Sequence, residues 1–128
     1  ASRWRQDGPM DWNIKDPAHR STAVTSVRIG APHGTRLRDW VTENAGITLG
    51  IGLGMAPPED PAWHGFFRIG HMGHVNAHMV LGVLASIEAG LAALDIPHRS
   101  GGVGAAAQVI ASVAGAQALI AKSETCCG

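Results

Sequence analysis

Arg68 stands inside the run Phe66-Phe67-Arg68-Ile69-Gly70-His71-Met72-Gly73-His74, an arginine in an apolar stretch with two glycines before a long apolar pattern begins. Its guanidinium stays charged at any physiological pH, and its planar fork of N–H donors matches a carboxylate or phosphate in two-pronged fashion. Two kinds of partner suit that chemistry. One is a structural acid, either Glu59 or Asp60 just upstream or a carboxylate elsewhere in the fold. The other is a small anionic ligand, because no acidic residue follows Arg68 until Glu88.

Just before it, Ile47, Leu49, Ile51 and Leu53 alternate with Thr48, Gly50, Gly52 and Gly54. Period-two alternation predicts a strand, here with one branched apolar face and one face nearly without side chains. Bare glycine weakens a strand, so three on one face imply a close approach. A ligand against the backbone, a bulge or a tightly packed helix would each account for them.

Other groupings are weaker. His71, His74 and His78 form H-x2-H-x3-H, and His74 and His78 at helical spacing suit a metal. No glutamate accompanies them as in H-E-x-x-H, so helix capping or surface exposure competes with a metal-binding reading, and no metal ligand is assigned. Gly101-Gly102-x-Gly104 is either an anion nest or an ordinary loop-to-helix joint. Gly50-x-Gly52-x-Gly54 departs from the G-x-G-x-x-G dinucleotide fingerprint and precedes no helix. No serine sits in a G-x-S-x-G elbow, and no carboxylates pair in an apolar setting. No catalytic residue is assigned within the chain.

These residues need elements to hold them. Met10, Trp12 and Ile14 alternate with polar neighbours as a half-buried strand ended by Asp16-Pro17, and Thr25, Val27 and Ile29 form a second, closed by Gly30-Ala31-Pro32. A helix follows with Thr35 as N-cap and Gly46 as its stop. Pro57, Pro58 and Pro61 make 55–63 a loop, and 66–69 is a short strand with Phe67 and Ile69 on one face and Arg68 on the other.

From Asn76 to Leu94, Val80, Val83, Leu84, Ile87, Leu91 and Leu94 draw one apolar helical stripe. Gly82 and Gly90 inside it imply close packing against a neighbouring layer. A last helix runs from the glycines at 101–104 to about Lys122. The order predicts an α+β fold: a small mixed or antiparallel sheet covered by helices. The expected organisation is a leading segment 1–20 with an edge strand, an α+β domain 21–122 and a flexible tail 123–128.

At 128 residues the chain fits one domain with a moderate core. Ten basic and ten acidic side chains cancel, which removes the electrostatic case for nucleic acid or an anionic membrane as partner. Residues 103–121 carry no charge but are too rich in alanine and glycine to insert into a bilayer well. Residues 1–14 have no apolar core segment of a signal peptide. Adjacent Cys126 and Cys127 make neither a disulfide framework nor a zinc site. Together these predict a cytoplasmic protein.

Three stretches carry a family resemblance: Ser21-Thr22-Ala23-Val24-Thr25-Ser26-Val27, then 46–54, then Phe67-Arg68-Ile69-Gly70-His71-Met72-Gly73. The pattern resembles the C-terminal domain of class V, fold-type I pyridoxal-phosphate aminotransferases, in the alanine–glyoxylate, serine–glyoxylate and pyridoxamine–pyruvate group. It covers roughly residues 21–114; residues 1–20 match loosely and the two cysteines not at all. The resemblance implies the small domain of such an enzyme, a homodimer, and pyridoxal 5'-phosphate held by a large domain. It assigns Arg68 to the α-carboxylate of the amino or oxo acid, in amino transfer between a small amino acid and glyoxylate or pyruvate. The large domain has no counterpart here. The only lysines, Lys15 and Lys122, lack the context of an imine-forming amine, so this segment alone is not expected to transaminate. From the residues themselves, a non-catalytic small-carboxylate-binding module, a histidine-rich metal-binding domain and a purely structural dimerisation domain remain open.

Overall fold

A computed structural model of the chain describes residues 3–52, 56–73 and 75–113. Strands β1 (Asp11–Trp12), β2 (Val24–Arg28) and β3 (Phe66–Gly70) form a three-stranded sheet in the order β1-β2-β3, antiparallel throughout. Helix α1 (His33–Ala45) lies between β2 and β3 in the chain. Helix α2 (Ala77–Ala93) follows β3, and a third helix, α3, occupies 102–113 of the described residues. This is the expected α+β architecture, with the antiparallel alternative realised.

The two faces of the sheet differ sharply. Register pairs Val27 with Phe67 and Thr25 with Ile69, while Ser26 pairs with Arg68. Val27 and Phe67 are buried with Leu37 and Val41 of α1 and Ile87 and Leu91 of α2, so both helices cover that face. Burying each such side chain stabilises by about 1.5–3 kcal/mol. The opposite face presents Ser26 and Arg68, half-buried. Trp4, in a short 3-10 turn (Trp4–Asp7), is completely buried in the same core, so residues before 20 contribute to the packing of the rest.

The helix ends follow local chemistry. Gly46 adopts a left-handed conformation (φ 68°) beyond α1, donating to Thr42 O while Ile47 N donates to Val41 O. Only glycine takes that conformation without strain. Asn76 caps α2 by accepting from Met79 N at 2.9 Å. Thr35 is not the N-cap of α1. The helix starts at His33 with Pro32 at the N-cap position, three residues before Thr35, and Thr35 instead accepts from Arg38 Nη2 at 2.8 Å and lies 2.7 Å from His64 Nδ1. A 3-10 turn at Pro61–Gly65, capped by Asp60, replaces the end of the expected loop.

Two further expectations change. The glycine-alternating stretch forms no full strand among the described residues; it pairs with β3 through one bridge, Gly50 to Arg68. Glycines supply no cross-strand side chains and lose much backbone entropy, so this edge pairs minimally. Leu49 nevertheless turns into the core as its alternation requires. Of the two α2 glycines only Gly90 is close-packed: a Cβ there would lie 2.7 Å from Leu37 Cδ1 and 3.0 Å from Trp40 Cε3, whereas Gly82 has open space. Among the described residues no helix is long and apolar enough to cross a membrane.

Candidate anion-binding cleft

Arg68 sits in the middle of β3, between Ser26 on β2 and Gly50 on the other side. Backbone bonds of 2.9 Å in both directions tie Gly50 to Arg68. The guanidinium folds back over Gly50 and donates from Nε to Ile51 O at 2.5 Å. A Cβ on residue 50 would stand 3.2 Å from Arg68 Cβ and 3.3 Å from its Nε. What approaches the bare glycine at position 50 is therefore the arginine's own side chain. Gly54 lies outside the described residues.

Arg68 opens onto a cleft of about 380 Å³ beside Trp12, Ile14, Val24, Thr25 and Ser26. Among the described residues it forms no ion pair with an acid. The nearby candidates are engaged elsewhere or lie on the surface. Asp60 accepts from Ala62 N at 2.9 Å as the cap of its turn, and Glu59 is exposed. Glu88 accepts from Trp4 Nε1 and from Gly102 N, both at 2.6 Å. That last contact resolves the glycine motif at 101–104: the carboxylate at the start of α3 is the chain's own, and a Cβ at 102 would collide with Trp4 Nε1 at 2.3 Å.

A second arginine in the cleft carried no signal in the sequence. Arg20 donates from Nε to Ile14 O at 2.9 Å and from Nη2 to Lys15 O at 3.0 Å, and its guanidinium lies 4.4 Å from the Trp12 ring centroid. It belongs to no helix or strand, so no periodicity marks it. Only folding of the turn after β1 brings it to the sheet.

The histidines are dispersed. His71 Nε2 lies 2.9 Å from Thr25 Oγ1, His78 is exposed in the first turn of α2, and His74 lies outside the described residues. Among the described residues no three His, Cys, Asp or Glu side chains cluster as a metal site would require. Another groove, of about 470 Å³ between Ile69 and Val80, Val83 and Leu84 of α2, is mainly apolar and has no arginine in its wall.

Lys15 is ion-paired to Asp11 on the surface, with its side chain 61% exposed. An imine-forming lysine needs a desolvated setting; a solvated ammonium paired with a carboxylate has none. Lys122, Cys126 and Cys127 lie outside the described residues. The described residues thus do not fit pyridoxal phosphate as a covalently held group. They fit a small carboxylate or a similar anion, which a half-buried guanidinium binds through charge-assisted hydrogen bonds. No protein-family model matches the chain, and no curated protein sequence matches it.

Proposed function

We propose that this chain is the substrate-carboxylate-binding domain of a pyridoxal-phosphate aminotransferase of the class V, fold-type I kind. In this reading it holds the acid group of a small amino or oxo acid during amino transfer to or from glyoxylate or pyruvate. The observation that carries the reading is Arg68: a half-buried guanidinium facing a cleft, with no acidic partner among the described residues. The motif around it supplies the family. The cofactor and its lysine would belong to a large domain outside these residues, and the assembled enzyme would be a cytoplasmic homodimer. Lys15, bound to Asp11, takes no part in this reading.

The contribution of Arg68 is binding and orientation. Its anchored Nε fixes the plane of the fork, so a carboxylate on the terminal nitrogens is held in one direction. Orientation of that kind supplies several kcal/mol of a barrier reduction in the complete enzyme. The engaged Lys15 also suits a second reading, a small-carboxylate-binding module with no catalytic partner.

Titration of the chain with pyruvate and glyoxylate, alone and as Arg68→Ala, tests the shared premise. Saturable binding weakened at least tenfold by the substitution is expected, and equal binding by both proteins rejects it. Co-purification of a larger polypeptide with a yellow, pyridoxal-like absorbance separates the enzyme from the module.

A further inference from the structure

Two guanidinium groups, Arg20 and Arg68, share one cleft, and among the described residues its walls contain no aspartate or glutamate. Like charges lining one cleft raise each other's energy, and the cost falls when a dianion enters. Arg20 is also held in place. Two carbonyls and the Trp12 face fix it from three directions, all of them uncharged, and it forms no ion pair with an acid among the described residues. Two of its five N–H groups serve those carbonyls, leaving others for a ligand. Trp12, Ile14 and Val24 add apolar wall to the same cleft, which suits a short hydrocarbon spacer.

We propose that Arg20 is a second anchor, and that the cleft takes a small diacid, a dicarboxylic amino acid or its 2-oxo counterpart. The α-carboxylate sits on Arg68 and the distal carboxylate on Arg20. The proposal rests on the reading of Arg68 given above and deepens it. A dicarboxylic amino acid then serves as amino donor, and glyoxylate or pyruvate, with one acid group, engages Arg68 alone. Selectivity for the donor resides in Arg20.

The test is calorimetric titration of the full chain at low ionic strength, where screening is weakest, with 2-oxoglutarate and with pyruvate. The diacid should bind at least tenfold tighter. Arg20→Gln, which keeps an N–H donor for the Ile14 carbonyl, should cost 2-oxoglutarate at least tenfold more affinity than it costs pyruvate. Arg68→Ala should weaken both. Equal affinities for the two acids, or a diacid preference that survives Arg20→Gln, overturns the role of Arg20 while leaving Arg68 standing. Absence of binding by either acid overturns both. Should Arg20→Gln lose its far-UV circular dichroism, the unsubstituted protein decides. 2-Oxoglutarate must then shift the Arg20 and Arg68 Nε–Hε resonances together and pyruvate that of Arg68 alone, and a diacid that leaves Arg20 unmoved ends the proposal.

Discussion

Trp4 Nε1 and a carboxylate oxygen of Glu88 meet at 2.6 Å across 84 positions of sequence. The same oxygen receives the backbone N–H of Gly102 at 2.6 Å. One acid thus joins the leading segment, α2 and the start of α3. Glu88 is also the first acid after Arg68 in the chain, and this bonding removes it as a partner for that arginine.

Glu88→Gln should therefore destabilise the protein. The substitution keeps an acceptor but removes the charge that strengthens both bonds and faces the helix N-terminus. The expected loss is about 1–3 kcal/mol, measured as a lower urea midpoint with unchanged slope. An unaltered midpoint would dismiss the junction as incidental.

The two glycines of α2 should respond to alanine with opposite signs. At Gly82 there is open space, so Gly82→Ala gains helix propensity and stabilises by up to about 1 kcal/mol. At Gly90 the new methyl meets Leu37 and Trp40 of α1, and overpacking costs about 1–3 kcal/mol. Thermal melts of the two variants check this; shifts in the same direction would contradict the packing of α1 on α2.

Gly50→Ala probes the cleft from behind. A methyl 3.2 Å from Arg68 Cβ forces the guanidinium stem to shift by a few tenths of an ångström. Carboxylate affinity should drop several-fold, with a melting temperature changed far less than by Gly90→Ala. Intact affinity would mean that the fork position does not govern binding.

Arg38 is buried among α1 and the turn before β3, with its guanidinium 5.2 Å from the Trp63 ring centroid. Its Nε has no hydrogen-bond partner among the described residues, and burial pushes its pKa down. Burial costs the charge more than the Coulombic pull of Asp39 returns, and no acid forms an ion pair with it among the described residues, so Arg38→Met should raise stability by about 1 kcal/mol in urea titration. A clear loss would indicate that the cation–π contact outweighs the desolvation.

Acid lability should trace partly to Asp11. The Lys15 ammonium and the Trp12 N–H that bond its carboxylate hold its pKa at about 2, against an ordinary 3.8. A lowered folded-state value means the stabilisation is present above the unfolded value and is lost as pH falls from there through about 2. Asp11→Asn should flatten the melting-temperature profile in that acid range and leave its shape near neutrality unchanged. A wild-type profile already flat there would refute the contribution.

Local rules made much of the fold legible. Alternation marked β2, a short apolar run marked β3, the 3.6-residue stripe marked α2, and Gly46 supplied an end signal that needs only its own turn of chain. The same rules misplaced the start of α1, where Thr35 is used by Arg38 and His64 instead of capping the helix. They also overrated the glycine stretch, because alternation specifies faces without specifying how many ladder bonds form.

The amino-acid order alone determined that Arg68 would lie on a strand, opposite in facing to Phe67 and Ile69, since successive side chains of a strand point to opposite sides. Tertiary structure decided everything about its charge balance. Glu88 and Asp60 were drawn to helix starts, Gly50 was brought beneath the guanidinium, and Arg20 was carried onto the same face by a turn without periodicity. Strand facing is set by neighbouring bonds within the chain, whereas the pairing of charges depends on which distant segments the core pulls together.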